Sequence, residues 1–469
     1  MLKSLYQRAF DWLDDRTGLA TMIGRTARHL VPPDAKWWYV FGSATLCAFM
    51  VQVVSGIALA FAYIPSAGEA YATLHFISDE APFGHFLRGL HYYGASAMVL
   101  MVGLHMAQVF LAGSYKFPRE LNWATGVLLL GFTMVMGFTG QLLRWDQNAV
   151  WSTVVGAEQA ARVPFLGTLV AHFVLGGDTV GGATLTRFFA IHVFIMPGLI
   201  FAFVGLHLWL VLRHGISEPP KPGALVDPKS YRREYEDLIK KEGRPFWPDA
   251  AWRDVVFCVG MILFIGVLAL VWGAPPLGKP PDPSLIAASP RPDWYLLWYF
   301  AVLALMPHGT EQYFLVFGPL LVGMALIALP FVSNSGERSP RRRPWAVVAV
   351  LMVAIMIATL WVAGAKSTWS PNFNIRPLAP AVVGATNGPV FLGAALFQEK
   401  GCLNCHLIGG EGGRRGPDLT AVGARLSENQ MILKIANGAP NMPAYAATLK
   451  PVEMDQLVAF LQSRKAQHP

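Results

Sequence analysis

Cys402, Cys405 and His406 stand in the run GCLNCH at 401–406, the spacing at which two thiols form thioethers to a c-type haem and the next imidazole ligates its iron. Thirty-six residues on, Met442 in PNMPAY supplies a sulfur as the second axial ligand. Four other histidines lie inside apolar runs. His91 and His105 are 14 residues apart, and His192 and His207 are 15 apart. At 100° and about 1.5 Å per residue, each pair falls near one face of a helix, about 21 to 22 Å between its members. A neutral imidazole ligates haem iron well, and a haem in the membrane gives ionisable side chains a reason to sit at such depth. Two facing helices would hold two b-type haems, His91 opposite His192 near one face and His105 opposite His207 near the other.

Glycines repeat the interval. Gly42 and Gly56, and Gly126 and Gly140, are each 14 apart, and a missing side chain lets a flat macrocycle approach the backbone. Small-residue helix packing in a membrane is the competing explanation. The two remaining cysteines, Cys47 and Cys258, lie in apolar runs and read as small hydrophobes.

The elements that must position these groups are membrane spans. The chain is 54% hydrophobic and 14% charged, with 15 Trp, which excludes an ordinary soluble enzyme. Apolar runs of about 20 residues occur at 37–62, 90–112, 123–143, 188–212, 254–273, 313–332 and 345–363. The run WYLLWYFAVLALM at 294–306 is too short and reads as a re-entrant or surface helix. The fold class is therefore all-α: a polytopic membrane helix bundle with seven transmembrane helices and a small α-helical domain at the C-terminus.

Charge sets the orientation. The segments 1–36, 113–122, 213–253 and 333–344 hold 21 Lys and Arg, and the opposite loops hold 6, so the first set is cytoplasmic. The net charge of +8 thus belongs to inner loops and does not imply nucleic acid. Seven spans place the C-terminus outside, where haem is attached to CxxCH. No secretory signal opens the chain, because 1–36 is charged throughout. The expected organisation is an amphipathic segment at 1–36, a four-helix dihaem domain at 37–215, a cytoplasmic loop at 216–252, a three-helix domain at 253–365, a Pro-rich extended linker at 366–390 and a haem c domain at 391–469.

Several stretches resemble cytochrome b of the quinol-oxidising cytochrome bc complexes, closer to the b6f branch than to the mitochondrial one: GLHYYGASAMVLMVGLHM, FPRELNWATGV, WDQNAVW and TLTRFFAIHVFIMPG. Residues 250–365 resemble the three-helix subunit IV of that branch, with PDWY at 292–295 where the family has Pro-Glu-Trp-Tyr. The tail resembles a class I cytochrome c. The resemblance implies a quinol:cytochrome c oxidoreductase subunit in a bacterial inner membrane, which oxidises quinol at an outer pocket formed by Pro292, Asp293, Trp294 and Tyr295, with Asp293 handling the proton. One electron would pass to a Rieske iron–sulfur protein and the other through the two b haems to an inner quinone site, coupled to proton translocation. It further implies Arg88, Arg119 and Arg187 on haem propionates, a homodimeric complex, and electron delivery through the tethered cytochrome to a downstream cytochrome c or terminal oxidase. No iron–sulfur motif is present in the chain, so the Rieske protein is a partner.

Two departures stand out. Val40 occupies the position where the b6f branch attaches an additional haem through Cys, so no such covalent haem is expected. Arg144 stands in LLRWDQ where relatives have Pro. His29, His75, His85, His172, His214 and His308 lack partner spacing and read as loop or surface residues, and Asp293 could also serve only as a helix cap. Two other roles remain open at this stage: a dihaem anchor exchanging electrons between quinone and a periplasmic redox partner without bifurcation, and a haem-binding remnant without turnover.

Overall fold

A computed structural model describes residues 2–161, 167–176, 180–281, 290–306, 310–366, 378–404, 406–412, 417–438, 442, 444–446 and 449–465. Among the described residues, seven helices are long and apolar enough to cross a bilayer: Phe41–Ala60, Gly84–Leu111, Glu120–Leu142, Gly182–His214, Phe246–Val271, Tyr313–Val332 and Pro344–Lys366. At about 1.5 Å per residue each covers a hydrocarbon core of about 30 Å. Much of their apolar surface faces outward, including Leu263, Leu270, Met352 and Ile355, as in helices solvated by lipid. The short run forms the separate helix Trp294–Leu305, packed on the seventh span. Beside these helices, strand pairing among the described residues is confined to antiparallel two-residue pairs, such as Leu30–Val31 with Arg244–Pro245.

Spans one, two, four and five share a core of Ala48, Phe49, Ala97, Met98, Ile200 and Ile265, against which Leu129, Phe132 and Met136 of the third pack. These residues lie midway between the two histidine levels, and Phe49 packs edge-on against Phe201 at 4.8 Å between ring centroids. The second and fifth spans touch at Gly89, where a Cβ would come 3.0 Å from the Ala269 backbone. The two parts of the bundle are therefore in direct contact.

The ends that carry the basic loops are joined by buried polar groups. Lys116 donates to the carbonyls of Ser333 at 2.9 Å and Ser335 at 2.6 Å. Arg343 donates to the Tyr115 hydroxyl at 3.1 Å, and Arg338 pairs with Glu218. Part of the positive charge that orients the chain is thus also structural, tying the loop after the second span to the loop before the seventh.

In the C-terminal domain Gly388–Glu399, Glu428–Asn437 and Pro451–Gln462 enclose a core that includes Phe397, Cys402, Leu403, Met431 and Phe460. The expected spacer at 366–390 is corrected over its described part. Leu378 and Val383 belong to this core, and Pro380–Val383 is helical. Proline suited this segment to helix starts as well as to extended chain: Pro380 and Pro389 both open helices, where a missing N–H costs nothing. Residues 367–377 lie outside the described residues.

Candidate functional site

The second and fourth spans bring the four membrane histidines into two facing pairs. His91 and His192 have ring centroids 6.4 Å apart, and His105 and His207 are 6.5 Å apart. With metal–imidazole bonds of about 2 Å, each gap suits one metal ion ligated from both sides. Among the described residues no cluster of three or more His, Cys, Asp or Glu could hold a bare ion. Two axial imidazoles with no protein equatorial ligand fit a metal that brings its own planar ligand, as haem does.

The unequal spacings, 14 and 15, have a local cause. Ile191–Ile195 is a π-helical turn within the fourth span, with His192 in it. Such a turn absorbs an additional residue, so 15 residues there match 14 on the regular second span. Pro197 lacks the N–H that would bond to Val193 in an α-helix, which accounts for the turn's position.

Three hydroxyls orient the rings. Ser55 Oγ lies 2.9 Å from His91 Nδ1, Thr125 Oγ1 2.9 Å from His207 Nδ1, and Thr139 Oγ1 3.1 Å from His192 Nδ1. Each hydroxyl also donates to the carbonyl four residues before it, Val51, Leu121 and Val135. Its proton is therefore spent, and it accepts from an Nδ1–H, which leaves Nε2 free to ligate a metal. Sequence reasoning missed all three, although each directly precedes one of the spaced glycines, as Ser-Gly or Thr-Gly. At the fourth position Phe41 precedes Gly42.

The glycines abut the imidazoles themselves. A Cβ on Gly140 would lie 2.6 Å from His192 Cε1, on Gly56 3.1 Å from His91, on Gly42 3.2 Å from His105, and on Gly126 3.7 Å from His207. Their observed contact is with the ligand rings, where the sequence pointed to a macrocycle.

The three arginines hold protein oxygens. Arg88 donates to Ser78 Oγ at 3.0 Å and the Pro275 carbonyl at 2.7 Å. Arg119 binds the Gly215 and His214 carbonyls and the Tyr231 hydroxyl, and Arg187 binds the carbonyls of His172 and Phe173. None of these bonds goes to a residue that holds the paired rings.

The PDWY segment is fastened to the C-terminal end of the third span. The Asp293 N–H donates to Gln141 Oε1 at 2.8 Å, and Gln141 and Asn148 both donate to the Arg291 carbonyl at 3.2 Å. Trp294 Nε1 donates to Ser96 at 3.1 Å. Tyr295 is buried against Gly137, where a Cβ would come 2.8 Å from its ring, and its hydroxyl donates to Asp293 Oδ2 at 3.3 Å. Pro292 carries the chain between these anchors. The Asp293 side chain makes no cap bond to the turn that follows. Burial raises its carboxyl above the ordinary range, opposed by the Arg144 guanidinium and the Tyr295 hydroxyl. Gln141 escaped the sequence reading, although an amide at the end of an apolar span is a signal in itself.

In the C-terminal domain His406 Nδ1 faces the Pro417 carbonyl at 2.8 Å, which leaves Nε2 to ligate. Burial lowers the pKa of this imidazole and favours the neutral form a ligand needs. Cys402 is buried in the domain core and Met442 packs against it. Cys405 lies outside the described residues. Cys47 and Cys258 are free and half-buried. Val40 is a buried aliphatic residue with no thiol to offer.

Comparison with known proteins gives three family matches along the chain. The family model "Cytochrome b/b6/petB" matches residues 26–215, "Cytochrome b(C-terminal)/b6/petD" matches 280–383, and "Cytochrome C oxidase, cbb3-type, subunit III" matches 391–461. Cytochrome b6 of Synechococcus sp. (strain JA-3-3Ab) is 37% identical over 212 residues, 45% of this chain and 99% of its own length. The menaquinol:cytochrome c reductase cytochrome b subunit of Bacillus subtilis (strain 168) is 39% identical over 223 residues, 46% of this chain and all of its own. A chain of a solved hyperthermophilic respiratory Complex III aligns over 84% of this chain and 96% of its own, with a TM-score of 0.65 and 28% identity.

Proposed function

The chain belongs to the cytochrome b/b6 family, with a subunit IV-like domain and a cytochrome c domain on the same polypeptide, and from that premise we propose that it is the cytochrome b/c subunit of a quinol:cytochrome c oxidoreductase in a bacterial inner membrane. Its inner loops face the cytoplasm and the cytochrome c domain lies outside. The observation that carries the proposal is the presence on one chain of two facing histidine pairs, a partly buried carboxylate at the quinol segment and a CxxCH domain.

His91 with His192, and His105 with His207, would each hold a b-type haem, and Cys402, Cys405, His406 and Met442 a c-type haem. These groups supply one-electron carriers, so that the two electrons of one quinol can part, one to a Rieske iron–sulfur protein and then the tethered cytochrome, the other across the membrane to a second quinone site. The rest falls to the chain's own residues. Gln141, Asn148 and Ser96 hold the PDWY segment so that Asp293 and Tyr295 line one wall of the outer pocket. Asp293, with its pKa raised by burial, is better suited than an exposed carboxylate to accept a quinol proton and release it outward. Phe49, Ala97, Met98 and Ile200 fill the space between the two histidine levels and keep it dry.

Proton uptake on quinone reduction at the inner site, with proton release on quinol oxidation at the outer one, makes the cycle proton-translocating, and the family's dimeric assembly supplies the expected quaternary form. A soluble cytochrome c or a terminal oxidase would receive the electrons. In the purified complex, reduced decylubiquinol or menadiol should reduce b-type and c-type haem together, and Asp293→Asn should slow both by about 100-fold or more. Reduction confined to the b bands would favour a membrane anchor without bifurcation. Wild-type turnover in Asp293→Asn would remove Asp293 from the reaction.

A further inference from the structure

Arg144 is a largely buried cation that the reaction as proposed does not use. It follows the third span and reaches two carboxylates: Nη1 is 4.0 Å from Asp293 Oδ1, and Nε is 3.9 Å from Asp146 Oδ2. The two acids are held differently. Asp146 is buried, and its oxygens accept the backbone N–H of Ala149 at 2.8 Å and of Gly278 at 3.0 Å, so it is fixed at the start of the helix Gln147–Ala161. The Asp293 side chain is 20% exposed and takes one hydrogen bond, from Tyr295.

The groups that bear electrostatically on Asp293 come from every element around it. They are Arg144 and Asp146 beyond the third span, Tyr295 on its own segment and Tyr92 on the second span. Arg88 stands farther out and interacts with Arg144 and Asp146. Arg144 is the one cation among these within ion-pair distance of Asp293.

The geometry points to Arg144 as a shared counter-ion that readies Asp293 for the quinol proton: it pairs with both carboxylates while Asp293 is charged and stays with Asp146 once Asp293 is protonated. In that step a quinol O–H bond breaks and an O–H bond forms on an Asp293 oxygen. A buried guanidinium stripped of its only partner would resist that protonation. Asp146 removes the penalty, because a fixed carboxylate remains. A cation about 4 Å away also favours the charged acceptor, so the site keeps working in more acidic surroundings than burial alone would permit.

This inference rests on the role proposed for Asp293, and its test separates the two. The pH dependence of kcat/KM for decylubiquinol oxidation would be measured in the whole complex for wild type, Arg144→Leu, Arg144→Lys and Asp293→Asn, each with b and c haem content determined. A protonated Asp293 cannot accept a proton, so activity falls as pH drops through its pKa, and losing the cation moves that acid limb to higher pH. Arg144→Leu should shift it upward by about one unit, a tenfold loss on the acid side, with the alkaline plateau kept. Arg144→Lys should restore most of the shift. An unmoved acid limb in Arg144→Leu with full haem content, whether at the wild-type rate or at one lowered equally at every pH, would overturn the inference. Wild-type activity in Asp293→Asn would instead overturn the underlying assignment of Asp293.

Discussion

Three of the four membrane histidines carry a hydroxyl on Nδ1, and this sets how strongly each imidazole donates to a metal. An accepted Nδ1–H makes the ring more basic and favours the more highly charged metal. Ser55→Ala and Thr125→Val should therefore each raise the midpoint potential of one b haem, the outer and the inner respectively, and leave the other unchanged. A tenfold change in relative affinity corresponds to about 59 mV for one electron, and potentiometric titration of the b bands would read it. The glycines differ in the same graded way. Gly140→Ala would put a Cβ 2.6 Å from His192 and should lose or distort the outer b haem, whereas Gly126→Ala, at 3.7 Å from His207, should keep both. Haem b content and the spectra of the two variants would check this. The paired histidines were legible in the sequence because ionisable groups in apolar runs are conspicuous. Their hydroxyl partners were not, because Ser and Thr in a membrane helix ordinarily satisfy themselves on the preceding turn, and here they do that as well.

The spacing of 15 in the fourth span is matched to the second span by one π turn. Deleting Phe194, an exposed residue in that turn, should return the segment to α-helix with 14 between its histidines and retain both b haems. Inserting one residue beside it should rotate one ligand by about 100° and lose a haem. Haem quantitation distinguishes the two. Apolar run length placed the first, third, sixth and seventh spans to within a few residues but began the fifth eight residues late, at 254 where the helix starts at Phe246. It could not show that the second and fourth helices continue outward to Gly84 and Gly182, because those first turns are polar and amphipathic. The linker shows a complementary difficulty: proline suits both an extended chain and the first turn of a helix, and the contacts of Leu378 and Val383 with the haem c domain are long-range facts.

Across the whole molecule, the membrane parts are held together at the end carrying the basic loops by the Arg338–Glu218 ion pair and by hydrogen bonds from Lys116 and Arg343, cations that sequence counts as topogenic charge. Arg338 is 3% exposed and pairs with Glu218. Glu218→Ala would leave that cation buried without its carboxylate, a loss of about 3–5 kcal/mol, and should lower the melting temperature and the yield of assembled complex without changing the haem spectra of the surviving protein. The central claim is that one polypeptide carries two non-covalent haems between paired histidines and one covalent haem at its end. The measurement that tests it most directly is the pyridine haemochrome ratio of the purified complex together with haem staining of this chain on a denaturing gel. Two b haems for each c haem, with the stain on the 51.3 kDa chain, is the predicted result. Fewer than two b haems in intact protein, or a second covalent haem on the chain, would contradict it.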